Sequence, residues 1–384
     1  MTFEFATSGR ILFGPGILPE ATRAIPPLGR RALLVTGRAA DRAGRFIALL
    51  ESGGVAAVPF SIPGEPEIPR IREGVRQARA EQCDMVISFG GGSAIDGGKA
   101  IAALLPNSGE PLDYLEVIGK GNPLASPPLP FVAVPTTAGT GSEATRNAVL
   151  ASPEHQVKAS LRGAALLPKL AIIDPELTFG LPPAVTAATG LDALTQLIEP
   201  YTSVRANPLI DAICLEGMRR AVRSLPRAFS HPEDIEARED MSLAALFGGI
   251  ALANAGLGAV HGFAAPIGGM FPAPHGAVCA ALLPHVTEAN IAALEQRAPD
   301  SGGLARYRTV AGILTRNPQA EPRDAAAGLH SLCRSLRVPP LGDYGITGSH
   351  IPAIVAKALQ ASSMKGNPIP LTAEELSLIL KRAI

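Results

Sequence analysis

The chain contains no tryptophan, and aromatic residues fill only 4% of its 384 positions. Binders of single-stranded nucleic acid stack bases on aromatic rings, so that class is disfavoured. Net charge is absent too, because 34 Lys and Arg balance 34 Asp and Glu. Without a basic excess, the electrostatic footprint of a nucleic-acid or anionic-membrane binder is missing. Cysteine is scarce: Cys83, Cys214, Cys279 and Cys333 lie far apart and form no CxxC pair, which argues against a zinc ribbon or a thioredoxin-like site. Such scatter fits reduced, buried thiols in a cytoplasmic protein. The N-terminal residues MTFEFATSGRILFG carry no signal-peptide apolar run. The longest apolar stretch, 244–260, is broken by glycines and Asn254 and reads as core helix, not as a membrane span.

What remains is an apolar composition, 47% hydrophobic and 18% charged. That excludes disorder and suits a large interior or a subunit interface. The length is that of about two domains. The first half alternates strand and helix patterns. Strands are expected at 31–36, 55–60, 83–89, 130–135 and 170–173, with helices at 41–52 and 71–81 and a helical pattern that continues from the Gly90-Gly91-Gly92-Ser93 run to Leu105. This alternation predicts a parallel sheet covered on both faces. From Pro182 onward only helical patterns appear, at 184–199, 208–228, 235–254, 260–269, 276–294, 304–315, 325–336 and 373–383. The expected organisation is therefore an α/β domain (1–178) followed by an all-α domain (179–384).

Gly90-Gly91-Gly92-Ser93 stands between an expected strand and an expected helix. Glycines let backbone N–H groups approach a phosphate, and a helix N-terminus adds positive potential. A ligand-free strand-to-helix turn is the alternative. Asp96 and Lys99 follow on the helix. The run Pro135-Thr136-Thr137-Ala138-Gly139-Thr140-Gly141-Ser142-Glu143 sets hydroxyls after a buried strand. It suits a dinucleotide or polar substrate, or caps a following helix through Thr140 or Ser142. After the first strand come Gly37 and Arg38, where an acidic residue would hold an adenosine ribose; Arg38 could instead face a 2′-phosphate or simply be solvated. In the second half, Asp192 and Gln196 lie four apart on one helix face. His261 and His275 each precede a glycine in nearly uncharged surroundings. Two histidines and a carboxylate can hold a divalent metal, or they can be hydrogen-bonded core residues. His285 reads as a helix-packing residue; His155, His231, His330 and His350 read as surface residues.

The ordered motifs GRILFGPG, GGGSAIDGGKA, PTTAGTGSEAT, TGLDAL with IEPY, and VHGFAAPIGGMFPAPHG resemble those of the iron-containing (group III) alcohol dehydrogenases, near the maleylacetate reductase branch. The resemblance runs from about residue 5 to the C-terminus. It implies a dehydroquinate synthase-like fold with a cleft between an α/β domain and a helical metal-binding domain. It further implies that Gly91, Gly92, Ser93 and Asp96 hold the pyrophosphate of NAD or NADP and nearby groups. Thr136, Thr137 and Ser142 would line the adenine and nicotinamide path, and Lys158 would contact ribose. The metal ligands, to iron or zinc, would be Asp192, Gln196, His261 and His275. Two departures stand out: the second ligand is usually histidine but here is Gln196, and a further histidine usual four residues after His261 is replaced by Ala265. The expected activity is hydride transfer between the nicotinamide and a metal-bound alcohol or aldehyde, with His261 and His275 at the catalytic centre. One rival is a metal-independent reductase of a carboxylated keto-acid substrate, with Arg146 and Lys158 as carboxylate partners. The other is a non-catalytic nucleotide-binding protein with a decayed metal site. The resemblance implies a homodimer or larger homo-oligomer, and no nucleic-acid or membrane partner is expected.

Overall fold

The computed structural model describes residues 2–38 and 40–384. Among these, the chain forms two compact units. The α/β unit comprises Ala6–Thr137 and Gly141–Phe179; the helical unit comprises Gly180–Ile384 with Ala138–Thr140 and the N-terminal residues up to Phe5.

The α/β unit runs β1 (Ile11–Phe13), α1 (Leu18–Ala21), β2 (Arg31–Thr36), α2 (Gly44–Ser52), β3 (Ala56–Ser61), α3 (Ile68–Ala80), β4 (Met85–Gly90), α4 (Gly92–Leu104), α5 (Pro111–Tyr114), β5 (Phe131–Pro135), β6 (Asn147–Ser152), β7 (Val157–Arg162) and β8 (Leu170–Ile173). Six of the strands form one parallel sheet in the order β1-β8-β5-β4-β2-β3. Successive side chains point to opposite faces, and both faces are covered, so the central strands are apolar throughout. Leu33, Val35, Val86 and Ala133 pack on one side with α3 and α4. Leu34, Ile87, Val132 and Val134 pack on the other with α1 and α2. Helix α3 starts at Ile68, earlier than its apolar spacing suggests. Pro69 lies in the first turn, where its fixed φ and missing N–H cost nothing.

Two features of this unit depart from the expected pattern. The three-residue β1 is too short to register as a strand in sequence. No helix follows Ser142: Ser142–Ala144 is a single 3₁₀ turn entered through Gly141 at φ 56°, and the chain continues into the antiparallel hairpin β6–β7. The cause lies on α4. Lys99 Nζ donates to the Thr145 and Asn147 carbonyls at 3.0 and 2.8 Å, and Asp96 Oδ2 accepts the Val149 N–H at 3.1 Å. These side chains claim backbone groups that a helix would need for itself.

Glu143 sits in that turn, 3% exposed. Burial raises its carboxyl to about 7, against the pull of Lys99. The folded chain therefore keeps a proton that the unfolded chain releases between about 4.5 and 7, and this group lowers stability as pH rises through that window. Glu143→Gln should melt higher than the wild type at pH 8 and match it at pH 4. A thermal-unfolding difference of equal size at both pH values would contradict this account.

The helical unit runs α6 (Pro183–Thr202), α7 (Pro208–Ser230), α8 (Ile235–Ala255), α9 (Ala259–Met270), α10 (His275–Arg297), α11 (Gly302–Thr315), α12 (Asp324–Ser335), α13 (Ile351–Ala358) and α14 (Ala373–Ala383), with no strand among the described residues. Helices α6, α7 and α8 pack together, and α10 lies against α6, α9, α12 and α14. By length and composition α10 could cross a membrane, but 78% of its apolar window is buried within the protein. The sequence pattern does not show α13. Two histidines expected at the surface are half-buried instead. His330 meets His285 edge-on at 4.9 Å, and His350 meets Phe271 at 4.9 Å while closing a capping box with Thr347.

Candidate functional site

In the parallel sheet the chain passes from β2 to β3 on one side and then to β4 on the other, so the strand order reverses between β2 and β4. Ligands of open α/β sheets bind outside the carboxyl ends of the strands at such a reversal. Gly37 follows β2 here, and Gly90 to Ser93 close β4 and open α4. A Cβ on Gly90 would stand 2.7 Å from the Ala94 Cβ and 3.2 Å from the Gly37 nitrogen, so the approach of the two loops requires glycine. Gly91 occupies the N-cap of α4 with no capping side chain, and Gly92 and Ser93 form its half-exposed first turn. The dipole and N–H groups of such a turn suit a phosphate. From the adjacent β5, the Thr136 N–H donates to the Gly90 carbonyl at 3.0 Å. The Thr137 Oγ1 lies 3.3 Å from where a Gly91 Cβ would be.

Of the other dinucleotide candidates, Ser142, Lys158 and Arg38 are engaged within the protein. Ser142 Oγ donates to Asp96 Oδ1, which ties α4 to the turn before β6. Lys158, its side chain 5% exposed, pairs with Glu65 at 2.7 Å. Arg38 is exposed, and its Nε donates to the Pro63 carbonyl at 3.3 Å. Gly37 faces open space, with nothing within 4 Å of where a Cβ would stand.

In the helical unit, Asp192, Gln196 and Glu199 occupy positions i, i+4 and i+7 of α6 and so share one face. His261 lies in the first turn of α9, and His275 opens α10. The His261 Nε2 stands 3.4 Å from Asp192 Oδ1, and the His275 Nε2 stands 3.7 Å from the same oxygen. Asp192 is 1% exposed, and Oδ1 has no hydrogen-bond partner. Gln196 is also buried: its Nε2 donates to the Gly139 carbonyl at 3.2 Å, and its Oε1 lacks a partner. Buried oxygens without donors are rare and costly, and a cation is one remedy. Burial pushes the Asp192 carboxyl up, but His275 and His261 pull it below the ordinary range, so it is an anion.

Two residues at this centre escape the sequence reading. Glu199 Oε2 lies 2.6 Å from His261 Nδ1, and Oε1 accepts the Val260 N–H at 2.7 Å. One carboxylate thus satisfies a first-turn donor of α9 and anchors His261 through Nδ1, with Nε2 turned toward Asp192. Cys279, one helical turn after His275, completes a group of four possible donors within 4.8 Å of one another. Burial raises its thiol to about 12. The i,i+7 spacing from Asp192 and the i,i+4 spacing from His275 are the available signals. A second group, His285, Glu288 and His330, joins α10 to α12.

Residues 8–175 match the family model described as iron-containing alcohol dehydrogenase, and residues 186–384 match the C-terminal domain model of the Fe-containing alcohol dehydrogenase family. The chain is 36% identical to alcohol dehydrogenase 4 of Saccharomyces cerevisiae over 377 residues, covering 97% of this chain and 96% of that one. It is 34% identical to 1,3-propanediol dehydrogenase of Klebsiella pneumoniae, covering 99% and 98%. Among solved structures, alcohol dehydrogenase from Oenococcus oeni superposes with a TM-score of 0.91 at 30% identity, over 100% of both chains.

Proposed function

Because the chain belongs to the iron-containing alcohol dehydrogenase family, we propose that it is an NAD(P)-dependent dehydrogenase of small alcohols that uses a divalent cation held by Asp192, His261 and His275. The observation that carries this reading is the buried, unpartnered Asp192 Oδ1 facing two imidazole Nε2 atoms at 3.4 and 3.7 Å. A carboxylate and two imidazoles form a donor set that suits a divalent metal and leaves room for substrate. Such a cation, when bound, acts as a Lewis acid on the alcohol oxygen and favours its deprotonation. The chain's own part is positional. Asp192 supplies the negative charge, Glu199 orients His261 through Nδ1, and the start of α10 sets His275. Gln196 Oε1 is a further neutral acceptor one turn from Asp192. The nicotinamide chemistry belongs to the cofactor, and the protein's task is to grip it. Gly90 to Ser93 would take the pyrophosphate, with Thr136 and Thr137 beside it. Relatives named for 1,3-propanediol and methanol support a small, unbranched substrate.

The test is metal content on protein purified without added metal, with NADH- and NADPH-dependent aldehyde reduction measured before and after chelation. One equivalent of metal, with activity lost on chelation and restored by a single ion, is the expected result. Full activity in metal-free protein would overturn the reading and favour histidine-assisted reduction instead.

Coenzyme choice has its own test. Gly37 offers space and no carboxylate where a ribose-binding acid would stand, so NADP as well as NAD should be accepted. Gly37→Asp should lower kcat/KM with NADPH by roughly tenfold or more while sparing NADH, because a carboxylate repels the 2′-phosphate and accepts from ribose hydroxyls. An unchanged NADPH to NADH ratio would place the adenosine ribose elsewhere.

A further inference from the structure

We propose that Cys279 is a ligand of the metal in this chain, so that the centre is Asp192, His261, His275 and Cys279. The inference rests on the metal-dependent reading above and deepens it. It is carried by the shape of the donor group. The Cys279 Sγ lies 3.8 Å from His261 Nε2 and 3.7 Å from His275 Nε2. Asp192 Oδ1 lies 3.4 and 3.7 Å from the same two nitrogens. A tetrahedral zinc ion sits about 2.0–2.1 Å from nitrogen or oxygen and about 2.3 Å from thiolate sulfur. Those lengths require edges of roughly 3.4 Å between nitrogen and oxygen and roughly 3.6 Å between nitrogen and sulfur. All four measured edges come within a few tenths of an ångström of these values. The arrangement needs little movement to close on an ion.

The chemistry of the donors agrees. Gln196 has committed its amide nitrogen to the Gly139 carbonyl and offers only a neutral oxygen. A cation deprotonates a thiol that coordinates it, and the proton leaves to solvent. Thiolate and Asp192 carboxylate together would then carry two negative charges, which match those of a divalent ion. A thiolate also shifts preference toward zinc and cobalt and away from magnesium and manganese. With four protein donors, substrate would enter as a fifth, an expansion that catalytic zinc sites tolerate.

Cobalt substitution tests the proposal directly, because thiolate bound to Co(II) gives an intense near-ultraviolet charge-transfer band that nitrogen and oxygen donors do not. Metal-free full-length protein titrated with Co(II) should develop this band to saturation at one equivalent. Cys279→Ser should lose the band and bind cobalt and zinc at least about 10-fold more weakly, and Cys214→Ser, at a buried thiol outside the group, should retain both. The His285, Glu288 and His330 group contains no sulfur and adds nothing to the band. Should Cys279→Ser fold poorly, X-ray absorption at the zinc edge of the wild type counts sulfur neighbours without any substitution; one sulfur is expected. One bound equivalent with no band and no sulfur would overturn the Cys279 assignment and leave the metal-dependent reading standing. Absence of any stoichiometric cobalt would overturn both.

Discussion

Asp192→Asn should yield a folded protein that no longer retains a divalent cation and keeps no more than about a thousandth of the wild-type activity. Loss of an outer-shell partner alone costs about 10–100-fold in metal affinity or activity, and the proposed centre has Asp192 among the donors themselves. The neutral amide is nearly the same size, but it loses the attraction of His275 and His261 that holds the Asp192 carboxyl below its ordinary range. At neutral pH the metal-free variant should therefore melt somewhat below the metal-free wild type. Added metal should raise the melting temperature of the wild type alone, because a ligand stabilises only the state that binds it. Thermal unfolding with and without added zinc, beside steady-state assays, checks both halves. An Asp192→Asn protein stabilised by zinc as strongly as the wild type would show that the cation sits elsewhere.

Gly276→Ala should reduce kcat by roughly a hundredfold and lower the melting temperature, although glycine has no side chain with which to act on a ligand. A Cβ at this position would fall 2.5 Å from the Ala188 carbonyl oxygen and 2.8 Å from its carbon. Both obstacles are backbone of α6, so no side chain can swing aside. Relief requires the first turn of α10 to back away from α6, carrying His275 away from Asp192. Overpacking of this kind typically costs about 1–3 kcal/mol, and a misplacement near 1 Å at a catalytic centre costs about 10²-fold. Dinucleotide binding, which depends on the other unit, should be unaffected in fluorescence titrations with NADH. Undiminished turnover in Gly276→Ala would show that the approach of α10 to α6 is not what places His275.

The parts of the molecule that are legible in sequence are those where one physical demand dominates. Strands β2, β4 and β5 are buried on both faces, so they read as unbroken apolar runs, and the glycines after β2 and β4 mark where backbones must approach. The hairpin β6–β7 stays hidden because its entry is decided by Lys99 and Asp96, some fifty residues away, and not by its own composition. Asp192, His261 and His275 can be grouped because charge and imidazole are conspicuous in apolar surroundings. Cys279 cannot, since a buried thiol looks the same whether it packs or ligates. Glu199 is masked by its place in an apolar helix, where only the partner from α9 reveals what its carboxylate is for.

The pairing of β1 bears on how the chain is made. Ile11 to Phe13 find their neighbours at Ala171 to Ile173, 160 positions later (171 − 11), and Asp174 just beyond accepts the Gly16 and Leu18 N–H groups. Synthesis at about 5–20 residues per second separates the two strands by roughly 8–30 s. Strand β1 is thus made before every other strand of its sheet and is among the last of them to be hydrogen-bonded. With three residues, it offers little edge for wrong partners during that wait. Closing so long a loop is also slow, which makes seating of β1 a late event in folding of the α/β unit.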